Sequence, residues 1–166
     1  MALRDERPQD SAAISQLTEA AFANVEHSSH TEQFIVTALR RAGQLTVSLV
    51  AVAADAVVGH VAISPVTLSS GTAGWYGLGP VSVSPQRQGQ GIGSALVNAA
   101  LARLHALGGR GCVVLGDPGY YSRFGFKAHP GLTLPGVPAE YFQALAFAGD
   151  VPEGSVQYHA VFEATQ

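Results

Sequence analysis

The run Gln88-Gly89-Gln90-Gly91-Ile92-Gly93-Ser94 sets three alternate glycines between a strand candidate, Trp75 to Val83, and the most regular helical pattern in the chain. That pattern runs from Gly91 to Leu107, with Ile92, Leu96, Ala99, Ala100, Leu104 and Leu107 on one helix face. Gly108-Gly109 stops it, and the short apolar run Cys112-Val113-Val114-Leu115 reads as a buried strand parallel to the one before the helix. Strand, glycine loop, helix and strand thus form the unit around which the rest of the chain must fold. Glycines at a helix start cost backbone entropy and are kept where something approaches the backbone closely. The exposed N–H groups and the helix dipole make such a start an anion site, so a phosphate-bearing ligand is the first expectation.

The spacing excludes the commonest owners of such a loop. A Walker loop needs Gly-Lys-Ser/Thr, which is absent, and a dinucleotide fold needs G-x-G-x-x-G, whereas Gly89-x-Gly91 is followed by Ser94. A dinucleotide fold also needs an acid about 20 residues on, and the next strand carries none before Asp117. A nucleotide-binding module is therefore disfavoured, and a ligand-free tight turn stays open as the alternative.

Upstream, Ala2 to Glu6 reads as a strand, and Pro8 opens a helix to about Phe22 that buries Ile14, Leu17, Ala21 and Phe22. Asn24 to His30 is a polar loop. Thr31 caps a second helix whose buried stripe is Phe34, Ile35, Ala38 and Leu39, ending at Gly43. Val47 to Ala53 and Val57 to Leu68 form a hairpin about Asp55, and Ser69-Ser70-Gly71 turns into the strand Trp75 to Val83. Downstream, Pro118 to Phe124 is a short helix ended by Gly125. Gly131 to Pro138 is rich in proline and glycine, and Ser155 to Glu163 is a last strand with Val156, Tyr158, Ala160 and Phe162 inward.

At 166 residues, 47% of them hydrophobic, the chain has enough apolar surface for one core, and residues 1–166 are read as a single domain. Net charge is −3 with one lysine and eight arginines, so no basic stripe exists and nucleic acid is not an expected partner. Cys112 has no second cysteine to pair with, the N-terminus lacks a signal-peptide apolar run, and the apolar stretches are interrupted by polar residues. The expectation is a cytoplasmic protein without a membrane span.

Leu78-Gly-Pro-Val-Ser-Val83-Ser-Pro-Gln-Arg-Gln88-Gly-Gln-Gly91-Ile-Gly93 resembles the acetyl-CoA signature of the GNAT N-acetyltransferase superfamily, Q/R-x-x-G-x-G/A after its fourth strand. Tyr121-Ser-Arg-Phe-Gly125-Phe126 resembles that family's second motif, Y-x-x-x-G-F, with a helix and a strand between the two. The resemblance implies an α+β fold: a mixed, mostly antiparallel sheet flanked by helices, with strands four and five splayed to admit CoA. It implies acetyl-CoA as cosubstrate, with the pyrophosphate on the amides of Gln88, Gly89, Gln90, Gly91, Gly93 and Ser94. Pantetheine would pair with the backbone of Val81 and Val83. Pro80 agrees with that picture, since a proline within a strand marks a bulge or an unpaired edge.

Transfer of acetyl to a primary amine needs an oxyanion donor, an acid for the departing thiolate and an acceptor for the amine's proton. By position in the family these are the Val81 amide and Tyr121, the tyrosine with the four-residue spacing to Gly125. Glu26 is the candidate base, from the cluster Glu26, His27, His30 and Glu32 that also suits capping and solvation. Asp117 is expected to cap the short helix, Cys112 to be core, and no metal site is expected, because the cluster lacks the H-E-x-x-H order. The acceptor is a small-molecule or peptide amine, and a second copy of the chain is a candidate partner. The alternative on the same fold is an acyl-CoA-binding sensor without catalysis.

Overall fold

The computed structural model describes residues 1–25, 28 and 30–163. Strand β1 (Ala2–Asp5) pairs antiparallel with β2 (Val47–Ala53), which turns into the antiparallel β3 (Ala56–Leu68). The turn residues Ala54 and Asp55 have φ of +50° and +62°, the left-handed pair that matches the twist of a tight hairpin. Strand β4 (Trp75–Val83) is antiparallel to β3, and β5 (Gly111–Leu115) is parallel to β4. Between them α3 (Ile92–Ala106) makes the crossover that a parallel pair requires.

Alternation along β2 divides the core into two layers. Leu49 and Ala51 join Leu96, Val97, Ala100 and Leu104 of α3 on one face. Val50 packs on the other against Ile14 of α1 (Ser11–Phe22) and Val36 of α2 (Glu32–Arg41). In α2 the buried residues are Gln33, Ile35, Val36 and Leu39, while Phe34 and Ala38 are half-buried, a rotation of the expected stripe by about one position. Among the described residues no helix is long and apolar enough to cross a membrane.

The C-terminal part departs from expectation. Strand β7 (Phe142–Ala146) pairs antiparallel with β5 along its whole length, giving the order β1-β2-β3-β4-β5-β7. Its sequence, Phe-Gln-Ala-Leu-Ala, has no β-branched residue, so pairing with β5 rather than local preference makes it a strand. The short β6 (Leu132–Thr133) pairs with β8 (Gly154–Tyr158), which extends β3 at Val66–Leu68. The expected strand to Glu163 ends at Tyr158, and Ala160–Glu163 coil into a 3-10 turn.

Two irregularities position the site. Strands β4 and β5 pair only from Trp75 to Leu78 with Gly111 to Val114; β4 then continues to Val83 with β5 no longer beside it. At the same place Val81 faces Val61 and Leu78 faces Ile63, so Gly79 and Pro80 together oppose Ala62 alone. This is a β-bulge with the donor-less proline inside it, where it breaks no ladder hydrogen bond. The splay between strands four and five is present.

Candidate active site

The glycine loop closes a cavity of about 290 Å³. Gln88, Gly89, Gly91, Gly93 and Ser94 line it, together with Val83 and Ile92. Gly89 and Gly91 have φ of +78° and +85°, and a Cβ on either would enter open space rather than protein. Gly91 is the N-cap of α3 and its carbonyl accepts the Ala95 N–H, so the amides at the start of α3 point outward from the helix end. At Gly93 a Cβ would lie 3.2 Å from the Tyr120 hydroxyl, which itself stands 3.4 Å from Ser94 Oγ. Gln90 is exposed in the loop between two lining glycines.

From this cavity an open backbone edge leads along β4. The Ser84 N–H donates to the Val58 carbonyl at 2.8 Å. In an antiparallel ladder exchanging and non-exchanging pairs alternate, so His60 and Ser82 exchange bonds while Val81 and Val83 turn their N–H and C=O away from β3, into the splay. The Gln88 side chain donates to the Val83 carbonyl at 3.2 Å, which ties the loop to this edge.

Tyr121 lies past the end of β5, on α4 (Pro118–Tyr121), whose N-cap Asp117 accepts the Gly119 N–H at 3.0 Å. The chain continues as a 3-10 turn, Ser122–Phe124, and reverses at Gly125, with φ of +99°. That reversal brings the buried Phe126 edge-on to Tyr121, ring centroids 6.0 Å apart, and Tyr120 stands edge-on at 5.0 Å. Spacing between Tyr121, Gly125 and Phe126 thus has a packing reason. Burial, with a smaller contribution from Tyr120, pushes the Tyr121 phenol up to about 12, so it holds its proton throughout the neutral range.

Three polar side chains that line the cavity were not among the expected cofactor contacts: Arg87, Tyr120 and Arg123. Tyr120 and Arg123 are three apart on a helical turn, so they share a face, and this spacing was the available signal. Glu26 and His27 lie outside the described residues. Ser28 donates to the Glu32 carboxylate at 2.7 Å, a local bond at the start of α2 that fits the capping reading. His60 belongs to a separate buried group: its Nε2 lies 2.8 Å from Ser48 Oγ, beside Glu6 and Arg40. Burial pushes its pKa down to about 4, against the opposing pull of Glu6. Among the described residues no three His, Cys, Asp or Glu side chains are grouped to hold a metal. Cys112 is fully buried and its thiol is pushed up by that burial.

The sequence model of the acetyltransferase (GNAT) domain matches residues 45–128, from the start of β2 through the Gly125-Phe126 reversal. The chain belongs to the GNAT family. It is 37% identical over 170 residues to the uncharacterized N-acetyltransferase YhbS of Escherichia coli strain K12, covering 98% of each chain. Its fold matches a GNAT family acetyltransferase from Brucella melitensis solved in complex with acetyl-CoA, with a TM-score of 0.88 and 54% identity over 98% of this chain and 97% of that one. It also matches E. coli YhbS solved in complex with CoA, with a TM-score of 0.89 and 35% identity over 99% of this chain and 93% of that one. As a GNAT acetyltransferase the protein is an acyltransferase with acetyl-CoA as its cosubstrate.

Proposed function

We propose that the protein transfers acetyl from acetyl-CoA to a primary amine, of a small molecule or of a peptide, by direct attack on the thioester. The reading rests on one observation above the others: the cavity at the glycine loop continues into a strand edge without a β5 partner, that of Val81 and Val83, beside the bulge at Gly79-Pro80. An extended pantetheine arm adds to such an edge as a strand would. Glycine at 89, 91 and 93 lets the pyrophosphate approach the amides, which with the dipole of α3 offset its charge.

The amine must be neutral to attack, and Glu26 is the proposed acceptor of the ammonium's proton. As nitrogen bonds to the carbonyl carbon, charge builds on the carbonyl oxygen, where the Val81 N–H is the proposed donor. The carbon–sulfur bond then breaks as Tyr121 protonates the departing thiolate, and the proton that the nitrogen loses on becoming an amide restores the phenol. A phenol held near 12 is a weak acid for a thiol of about 8.5 in water, but the same dry surroundings raise the thiolate's proton affinity too. Calorimetry with acetyl-CoA followed by thiol release across a panel of amines tests the reading. Binding with amine-dependent release supports it, binding without release makes the chain an acyl-CoA sensor, and no binding removes it.

A further inference from the structure

The cavity at the glycine loop carries more positive charge than a pyrophosphate needs. Loop amides and the start of α3 already suit the pyrophosphate, yet two guanidinium groups also line the cavity. Arg87 closes the 3-10 turn Pro85–Arg87 directly before the loop and is half-buried. Arg123 sits in the turn Ser122–Phe124. Its Nε donates to the Tyr120 carbonyl at 2.9 Å and its guanidinium lies over the Tyr120 ring, 4.5 Å from the centroid. Both contacts fix the group before any ligand arrives and leave its two terminal nitrogens as donors.

Counter-charge is missing on the protein side. Among the described residues no acidic side chain lines the cavity, and neither arginine has a carboxylate within 4.0 Å. By contrast Arg4, Arg40 and Arg103 are each paired with an acid. In a chain of net charge −3, two uncompensated arginines at one cavity form a site for a dianion, and the planar fork of arginine suits phosphate. CoA carries such a group apart from its pyrophosphate, the phosphomonoester on its ribose.

We infer that Arg87 and Arg123 bind the 3′-phosphate of CoA and make the enzyme discriminate acetyl-CoA from the same thioester without that phosphate. The inference rests on acetyl-CoA occupying the cradle. Binding of acetyl-CoA and of 3′-dephospho-acetyl-CoA is measured by calorimetry for the wild type, Arg87→Ala, Arg123→Ala and Arg123→Lys. The wild type is expected to prefer acetyl-CoA by on the order of tenfold to a hundredfold, a preference that weakens as salt rises. Each alanine variant is expected to lose most of that preference by weakening acetyl-CoA alone, and Arg123→Lys to keep part of it. Equal affinity of the wild type for the two thioesters overturns the inference. So does an alanine variant that weakens both equally, which would assign the arginines to the pyrophosphate or to the fold. Failure of the wild type to bind either thioester overturns the acetyl-CoA reading and the inference with it.

Discussion

Tyr120 and Tyr121 stand edge to face, ring centroids 5.0 Å apart and planes at 90°, and this contact divides two adjacent side chains between different surroundings. Tyr120 lines the cavity at the glycine loop beside Ser94 and Arg123, whereas Tyr121 packs on Gly116 and Phe126 at the end of β5. Removing each hydroxyl should therefore change different kinetic constants. Tyr121→Phe is expected to lower kcat by roughly a hundredfold or more with KM for acetyl-CoA little changed, the usual cost of losing a general acid. Tyr120→Phe should raise that KM several-fold and leave kcat near the wild-type value. Steady-state thiol release separates the two, and an unchanged kcat in Tyr121→Phe would remove the proposed acid.

Gly116 controls Tyr121 from the other side. A Cβ at Gly116 would overlap the Tyr121 ring. Gly116→Ala is expected to displace the tyrosine and lower kcat by at least tenfold, because small misplacements of a reacting group are costly. The acetyl-CoA affinity of this variant, measured by calorimetry, should stay within a few-fold of the wild type, since the cradle is untouched. A variant with full kcat would show that the ring's position has no bearing on the chemistry.

The part of the fold that was legible in sequence is the part that local rules control. The stripe of α3, the glycines before it, the hairpin at Ala54-Asp55 and the cap at Asp117 all follow from periodicity or turn chemistry within a few residues. Strand β7 was hidden because only its partner β5 makes it a strand, and the end of β8 was overrun because Ala160 and Phe162 continue the alternation after pairing has stopped. The site divides in the same way. Gly89, Gly91 and Gly93 give the expectation of a phosphate cradle, but Arg87, Tyr120 and Arg123 line the same cavity from two turns that only the tertiary fold brings together.

Gly91 is where the proposed ligand approach and the backbone geometry coincide. With φ of +85°, an alanine there would cost roughly 1–2 kcal/mol in the left-handed region and would add a methyl group at the helix start. Gly91→Ala should lower Tm by roughly 2–8 °C and raise KM for acetyl-CoA by tenfold or more. Gly43, with φ of +70° and open space around its Cβ position, is the control that shares the strain. Gly43→Ala should show a comparable loss in Tm with KM unchanged. Equal KM in the two variants would mean that the loop amides do not meet the ligand.

Acid stability should reflect His60. Its imidazole is fully buried, its Nε2 meets Ser48 Oγ, and the charged groups beside it are Glu6 and Arg40. Burial alone would raise the Glu6 carboxyl, but hydrogen bonds from Arg40 and Ser48 outweigh it, so Glu6 stays ionised and accepts a hydrogen bond from the Ser48 hydroxyl. Ser48 must then accept from His60 Nε2–H, which fixes the neutral tautomer. The unfolded chain protonates this histidine near 6.5 and the folded chain only near 4, so between those values the unfolded state binds more protons. Stability from this group is whole above pH 6.5 and falls by roughly 3 kcal/mol as pH drops to 4. Urea unfolding of the wild type and of His60→Asn at pH 7, 5.5 and 4 measures it. The variant is expected to be less stable at pH 7 and to approach the wild type by pH 4, because it has no imidazole to protonate. A gap that stays constant across that range would show that His60 accepts a proton as readily folded as unfolded.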